Sequence, residues 1–236
     1  MTNPSISILE YDLIRGFVVD QCGIVLGKDK AYLVRGRLWP LLAETGCSTY
    51  LEFYNRFAKR RDPKMRDRII DAITTNETFW FRDGNPWLLL RDSILPELLA
   101  SAKGQRREGR VRIWSAASST GQEPYSIAMV VDEFCRRNPR MGVKPEDIEI
   151  LASDVSPSAL FVAQAGRYDD VSMSRGFTGD WAPLRAKYFR QDGRHWVIAE
   201  KIRRRVRFVS NNLLDEFTML GRFQLVYLRN VAIYFS

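Results

Sequence analysis

The sequence predicts an α/β protein. A small all-helical N-terminal domain covers residues 1–75, a linker and connecting helix cover 76–109, and a mostly parallel sheet with helices on both faces covers 110–236. Three observations lead to this. Apolar residues recur at helical spacing up to about residue 75, with no strand alternation between them. Beyond residue 110, short β-rich runs alternate with helical runs, the pattern of a parallel sheet with crossover helices. With 236 residues, 45% hydrophobic and 27% charged, the chain has the composition of an ordinary globular protein and the length to bury a sizeable core.

Taken in order, Tyr11, Ile14, Phe17 and Val18 mark a first helix. Leu38, Leu41 and Leu42 mark a second, closed by Gly46. Leu51, Tyr54 and Phe57 mark a third, with Ser48-Thr49 as its N-cap. Asn85 to Leu99 reads as a helix leading into KGQRREGR, an expected exposed loop. Val111 to Ala116 is a strand, and the helix from Pro124 to Arg136 has proline in its first turn, where it is tolerated. A second strand runs from Ile148 to Ala152, followed by Ser153-Asp154 and a helix opened by Ser156-Pro157. Val206–Val209 and Phe223–Leu228 are the remaining strands. Between residues 168 and 205 the pattern loosens, and His195 to Ile198 reads as a small strand in an inserted antiparallel element at about 188–204.

Several function classes are excluded early. No run of eighteen or more apolar residues exists, so no membrane insertion is expected. The N-terminus has no secretion signal, and Cys22, Cys47 and Cys135 lie far apart, as expected of reduced thiols in the cytoplasm. His195 is the only histidine, which removes hydrolytic triads and multi-histidine metal sites; no metal is expected. The net charge of +8 favours an acidic partner, with clusters at Lys28–Arg37, Lys59–Arg68, Lys103–Arg112 and Lys201–Arg207.

Two stretches carry the chemistry. Thr74 to Asp83 read TTNETFWFRD, and Arg112 to Ala128 read RIWSAASSTGQEPYSIA. The second is a strand emptying into a small-residue loop in which Gly121 permits a tight turn, so backbone can approach a ligand. It lacks both G-x-G-x-x-G and G-K-[ST], which favours a cofactor without phosphates. Asp154, directly after the second strand, is placed either to accept hydrogen bonds from ribose hydroxyls or to cap the following helix, although Ser156 lies closer to that helix start. Glu123 is either a first-turn acid favoured by the helix dipole or a partner for a cationic amino group. Arg82 either pairs with a surface acid such as Asp83 or holds a carboxylate in its guanidinium fork.

Together with ASDVSPSALFVAQAGRY, FVSNNLL and RNVAIYF, these stretches resemble the CheR family of chemotaxis receptor methyltransferases over nearly the whole chain. The resemblance implies a helical domain joined to a Rossmann-like domain with a small antiparallel insertion. It implies transfer of a methyl group from S-adenosylmethionine to receptor glutamates, leaving S-adenosylhomocysteine. Asn76, Thr78 and Arg82 would contact the cofactor from the interdomain side, and Ala116 and Glu123 would hold its methionine portion. Asp154 would hold the ribose and Asn212 and Leu213 would frame the adenine, with Arg229 and Asn230 completing the pocket. Arg82 and Tyr234 would border the reacting carboxylate, and the basic helix AYLVRGRLWPLL would meet the acidic methylation helices of the receptor's cytoplasmic domain.

Departures from the family pattern are Gln122, where a second acid is common, and Gln224 and Leu228, where aspartate and cysteine are common. The family continues past RNVAIYF with a further helix and three strands, so the sheet is expected to lack its C-terminal strands here. That motivates an alternative, a cofactor- or receptor-binding module with impaired turnover. A nucleic-acid methyltransferase is disfavoured, because the chain has no Asn/Asp-Pro-Pro-aromatic segment; no nucleic-acid partner is expected.

Overall fold

The structure, a computed structural model, describes residues 3–60, 62–104 and 111–235. Arg61 and residues 105–110, and with them most of the expected KGQRREGR loop, lie outside the described residues.

The N-terminal part is helical. Helix α1 (Ile8–Cys22) opens with a reciprocal capping box in which Ser7 and Glu10 satisfy each other's amides. Helix α2 (Ala31–Thr45) ends at Gly46, and Thr49 caps α3 (Tyr50–Phe53), which continues through a π-type turn over Tyr54–Ala58. Helix α4 (Pro63–Ile73) is capped by Asp62. The apolar stripes of these helices meet in one core containing Ile14, Val18, Leu38, Leu42, Phe53 and Ile69.

A second core belongs to the sheet. Helix α5 (Asn85–Leu89) runs through another π-type turn into α6 (Leu95–Gly104). Strand β1 (Val111–Ala116), helix α7 (Gln122–Arg137), strand β2 (Ile148–Asp154) and helix α8 (Pro157–Ala165) follow. Strands β3 (Arg167–Tyr168), β4 (Phe189–Asp192) and β5 (His195–Ile198) form an antiparallel sheet in the order β3-β5-β4, with α9 (Asp170–Met173) and α10 (Ala182–Tyr188) between β3 and β4. Helix α11 (Glu200–Arg203) leads back to β6 (Val206–Ser210) and β7 (Leu225–Leu228). The main sheet is parallel, in the order β6-β2-β1-β7.

Three expectations change. The inserted sheet recruits Arg167–Tyr168, ahead of the anticipated 188–204 stretch, because the chain turns back directly after α8 to pair with Val197 and Trp196. Among the described residues the helices packed on the main sheet also share one face, that of Ile113, Ile150 and Tyr227. The opposite face, with Trp114 and Leu151, is covered by Leu213, Leu220 and Phe223 instead. Phe223 therefore leaves the strand predicted for it and stacks beneath the Arg112 guanidinium, 4.5 Å from its ring centroid.

The segment joining the two parts is anchored by aromatics. Trp80 is fully buried, with Tyr168 and Phe189 edge-on at centroid distances of 4.9 Å, and Phe81 stacks on Trp181 at 4.8 Å. Burial of each such ring contributes on the order of 1.5–3 kcal/mol. This pins residues 76–83 against the inserted sheet and fixes the edge of the cleft described next.

Candidate active site

A cavity of about 300 Å³ lies where the carboxyl ends of β1, β2, β6 and β7 meet the helical domain, the position at which open parallel sheets bind ligands. Its size is at the lower end of small-molecule sites, roughly 300–1,000 Å³.

The floor is the β1–α7 loop. Ala117 and Ser119 take left-handed φ values of 56° and 49°, and Gly121 follows at 93°. At Gly121 a Cβ would sit 2.9 Å from the Cβ of Ala163, so glycine is required both for its conformation and for the close approach of α8. Asn230 at 55°, Phe81 at 47° and Asp83 at 68° complete the set of left-handed non-glycine residues among those described. All five non-glycine members lie in or beside the cavity wall, where backbone strain accompanies a functional arrangement.

Asp154 ends β2 with 6% exposure. Its Oδ2 accepts the Ser119 amide at 2.7 Å and its Oδ1 the Ser156 amide at 2.9 Å. Burial pushes its pKa above the usual carboxylate value, and the amides of Ser156 and Ser119 oppose that rise. A carboxylate has about four lone-pair sites, so two amides leave capacity for hydroxyl donors from the cavity.

Glu123, in the first turn of α7, accepts the Ser115 hydroxyl at 2.8 Å and pairs with Arg229 at 3.3 Å. Its pKa is raised by burial, against the Ser115 hydrogen bond and the Arg229 charge. Arg229 also donates to Asp83 at 2.6 Å and to the Arg82 carbonyl at 2.8 Å. It thus ties β7 to the segment that carries Arg82.

Arg82 lines the cavity with its guanidinium 5.3 Å from the Phe79 ring centroid. Its Nε is buried without a hydrogen-bond partner, as is the Ser118 hydroxyl in the β1–α7 loop. Buried donors left unpaired are costly, so a ligand offering acceptors to this cavity fits the residues present. Asp83 is held by Arg229, not by Arg82, and among the described residues Arg82 has no ion-pair partner.

The other sequence candidates converge here with one exception. Asn76 donates to the Ser156 hydroxyl at 3.2 Å and its carbonyl accepts the Ser119 hydroxyl at 2.9 Å. Thr78, Leu213, Asn230 and Tyr234 line the cavity, as does Asn212, which donates to the Gln21 carbonyl at 2.6 Å. Ala116 does not line it: its side chain packs with Trp114 and Leu151 beneath the loop, and Ala117, Ser118 and Ser119 form the wall.

Sequence reasoning missed the opposite wall, which Ile24, Val25, Leu26, Lys30 and Arg37 supply from the helical domain. The Val25 amide donates to the Tyr234 carbonyl at 2.8 Å, and Tyr11 fixes the loop through the Gly27 carbonyl at 2.5 Å. The available signal was an apolar run between glycines, Gly23 to Gly27, joining two helices. The arginines of α2 are also committed within the chain. Arg37 donates to the carbonyls of Ile73 and Thr74 and to the Thr75 hydroxyl, and Arg35 to Pro4 and Asn3.

Comparison with known proteins agrees with this architecture. The family model for the CheR methyltransferase SAM binding domain matches residues 76–236, and that for the CheR methyltransferase all-alpha domain matches residues 9–74. Chemotaxis protein methyltransferase 1 of Pseudomonas aeruginosa is 43% identical over 228 residues, covering 96% of this chain and 80% of that protein. A chemotaxis protein methyltransferase of Vibrio anguillarum is 41% identical over 239 residues, covering 100% of this chain and 82% of its own length. Chemotaxis protein methyltransferase Cher2 of Pseudomonas putida is 40% identical over 229 residues, covering 97% and 80%.

Proposed function

The chain belongs to the CheR methyltransferase family, and on that premise we propose that it methylates glutamate side chains on the cytoplasmic helices of chemotaxis receptors, using S-adenosylmethionine. The single observation that carries the reading is the cavity between Asp154 and Arg82. A buried carboxylate with spare acceptor capacity faces a guanidinium with an unpaired buried Nε.

The residue roles follow from the chemistry of each group. Asp154 accepts the ribose hydroxyls, and Asn212 and Leu213 border the adenine. Glu123, beside Arg229, would receive the amino group of the methionine portion, with Asn76, Thr78 and Asn230 closing the remaining wall. The bound cofactor supplies an activated methyl on a sulfonium, and its transfer to a carboxylate oxygen leaves S-adenosylhomocysteine. Arg82 orients the acceptor carboxylate, with Tyr234 on its other side. Glutamate is already ionised near pH 7, so the site has no proton to remove. Its work is alignment and exclusion of water, which the walls from both parts of the chain serve. We assign residues 1–75 to the helical domain, 76–109 to the connection and 110–236 to the methyltransferase domain. The net charge of +8 favours approach to an acidic helical substrate.

Calorimetric titration with S-adenosylhomocysteine, comparing wild type with Asp154→Ala, tests the pocket. Binding lost in the variant supports it, and equal binding by both refutes it. Cofactor binding by wild type without methyl transfer to receptor glutamates would favour the impaired module instead.

A further inference from the structure

Two arginines share one aromatic ring of the cavity wall: Arg82 and Phe79 line the cavity, and Arg175 meets the ring from outside that lining. The Arg82 guanidinium lies 5.3 Å from the Phe79 centroid and that of Arg175 lies 4.2 Å from it. Like charges brought this close repel one another unless an anion shares the site. The carboxylate that does so is Glu77, 2.9 Å from Arg175, with the Arg82 Nη1 donating to its main-chain carbonyl at 3.3 Å. Arg229 has two acids of its own, whereas Arg82 has none among the described residues. Two cations and one carboxylate therefore gather around Phe79 at the edge of the cavity.

Arg175 is delivered to this place by rigid structure. Its neighbour Gly176 has φ 96°, and a Cβ there would lie 1.6 Å from the Trp80 carbonyl oxygen, so the loop rests directly on the backbone next to Phe79. Trp80 also donates its indole N–H to the Ser172 carbonyl at 3.0 Å and stacks on Phe177 at 5.4 Å. Only the backbone is held in this way: the side chains of Arg175 and Glu77 are 55% and 62% exposed, and an exposed ion pair is weak and readily exchanged.

We propose that Arg175 is a specificity-determining residue that receives the carboxylate of the acceptor glutamate, and that Glu77 occupies this place in the free protein until the acceptor displaces it. The proposal rests on the methyltransferase reading above. It adds a second guanidinium to Arg82 and an internal glutamate that competes with the substrate's own.

The test combines steady-state methylation of a receptor fragment with calorimetric binding of an acidic glutamate peptide to protein loaded with S-adenosylhomocysteine. The variants are Arg175→Ala, Arg175→Lys and Glu77→Gln, with Arg140→Ala as a charge control at the opposite end of the sheet. Arg175→Ala should raise the acceptor KM and peptide Kd about tenfold or more, the effect of one charge-assisted hydrogen bond. Its kcat and S-adenosylhomocysteine affinity should hold, and Arg175→Lys should recover part of the loss. Glu77→Gln should lower the acceptor KM, and Arg140→Ala should leave it unchanged. An unchanged KM in both Arg175 variants, or a raised KM in Glu77→Gln, overturns the proposal while methylation by wild type upholds the function. Peptide binding that depends on Arg175 in a wild type unable to methylate overturns the function and upholds the docking site. A wild type that neither methylates nor binds the peptide overturns both.

Discussion

Asp71 of α4 accepts hydrogen bonds from Ser156 and Ser158, the cap and second residue of α8, with the Ser158 hydroxyl at 2.9 Å. A carboxylate from the helical domain thus sits at the positive end of a helix in the sheet domain. Ser156 also receives Asn76 and donates its amide to Asp154. The interdomain contact and the Asp154 carboxylate of the cavity therefore share one hydrogen-bonded group.

Replacing Asp71 with alanine should lower unfolding free energy by about 1–2 kcal/mol, read from denaturant titration. It should also weaken S-adenosylhomocysteine binding several-fold. Ser156 keeps its capping bond to Ala159 at 3.1 Å, so α8 itself should persist by circular dichroism. An unchanged cofactor affinity would separate the two parts of the network.

Cofactor affinity should fall on acidification, beginning above the ordinary aspartate range, because burial raises the Asp154 pKa. Protonation removes acceptor capacity for ribose hydroxyls. The effect on stability has the opposite sign. A carboxylate whose folded pKa is raised destabilises the fold while ionised, and that penalty is relieved as pH falls through the folded value toward the unfolded one. Calorimetry across pH 7 to 4.5 checks the binding limb. Flat affinity across that window would contradict the assignment.

Glu133 behaves in the reverse manner. Burial raises its pKa, but hydrogen bonds from Lys187, Tyr188 and Arg136 outweigh burial and hold it at about 2. Its folded pKa is depressed, so its contribution is present above the unfolded value of 4.5 and is lost as pH falls toward 2. Glu133→Gln should therefore cost about 1–3 kcal/mol at pH 7, with the deficit shrinking through that acid window. Thermal unfolding of both proteins at pH 7 and pH 3 measures it.

Much of this arrangement was legible because it is local. The β1–loop–α7 unit, the glycine at 121 and the acid after β2 each follow from short-range pattern, and the structure places the loop and the acid around one cavity, with Gly121 supporting the loop from behind. The linked motifs from Thr74 to Phe235 pointed to the family before any geometry was available. What stayed hidden depends on long-range packing. The Ile24–Lys30 wall becomes visible only when the end of α1 meets Asn212 and Tyr234. Strand β3 is two residues long and has no periodicity to read. Arg37 reads as a free basic residue, yet its guanidinium holds the carbonyls that begin the connecting segment. Ala116 stops one residue short of the cavity wall, because the left-handed turn at Ala117 carries the wall past the strand end.

Gly176→Ala offers a test of how the inserted sheet supports the site. Both its φ of 96° and the 1.6 Å approach to the Trp80 carbonyl forbid a Cβ, so the loop must shift away from Phe79. A stability loss of about 1–3 kcal/mol, with a raised acceptor KM, is expected from thermal melts and initial rates. A variant with wild-type stability would mean that the loop does not depend on this contact.

Transfer of a labelled methyl group from S-adenosylmethionine to a chemoreceptor cytoplasmic fragment, compared between the intact protein and Arg82→Ala, decides whether this chain is a receptor methyltransferase that works through Arg82. Base-labile label on receptor glutamates is expected with wild type, and a loss of about a hundredfold or more in kcat/KM with the variant, as for removal of a group that orients the reacting carboxylate. Label absent with wild type despite tight S-adenosylhomocysteine binding, or undiminished with Arg82→Ala, would contradict it.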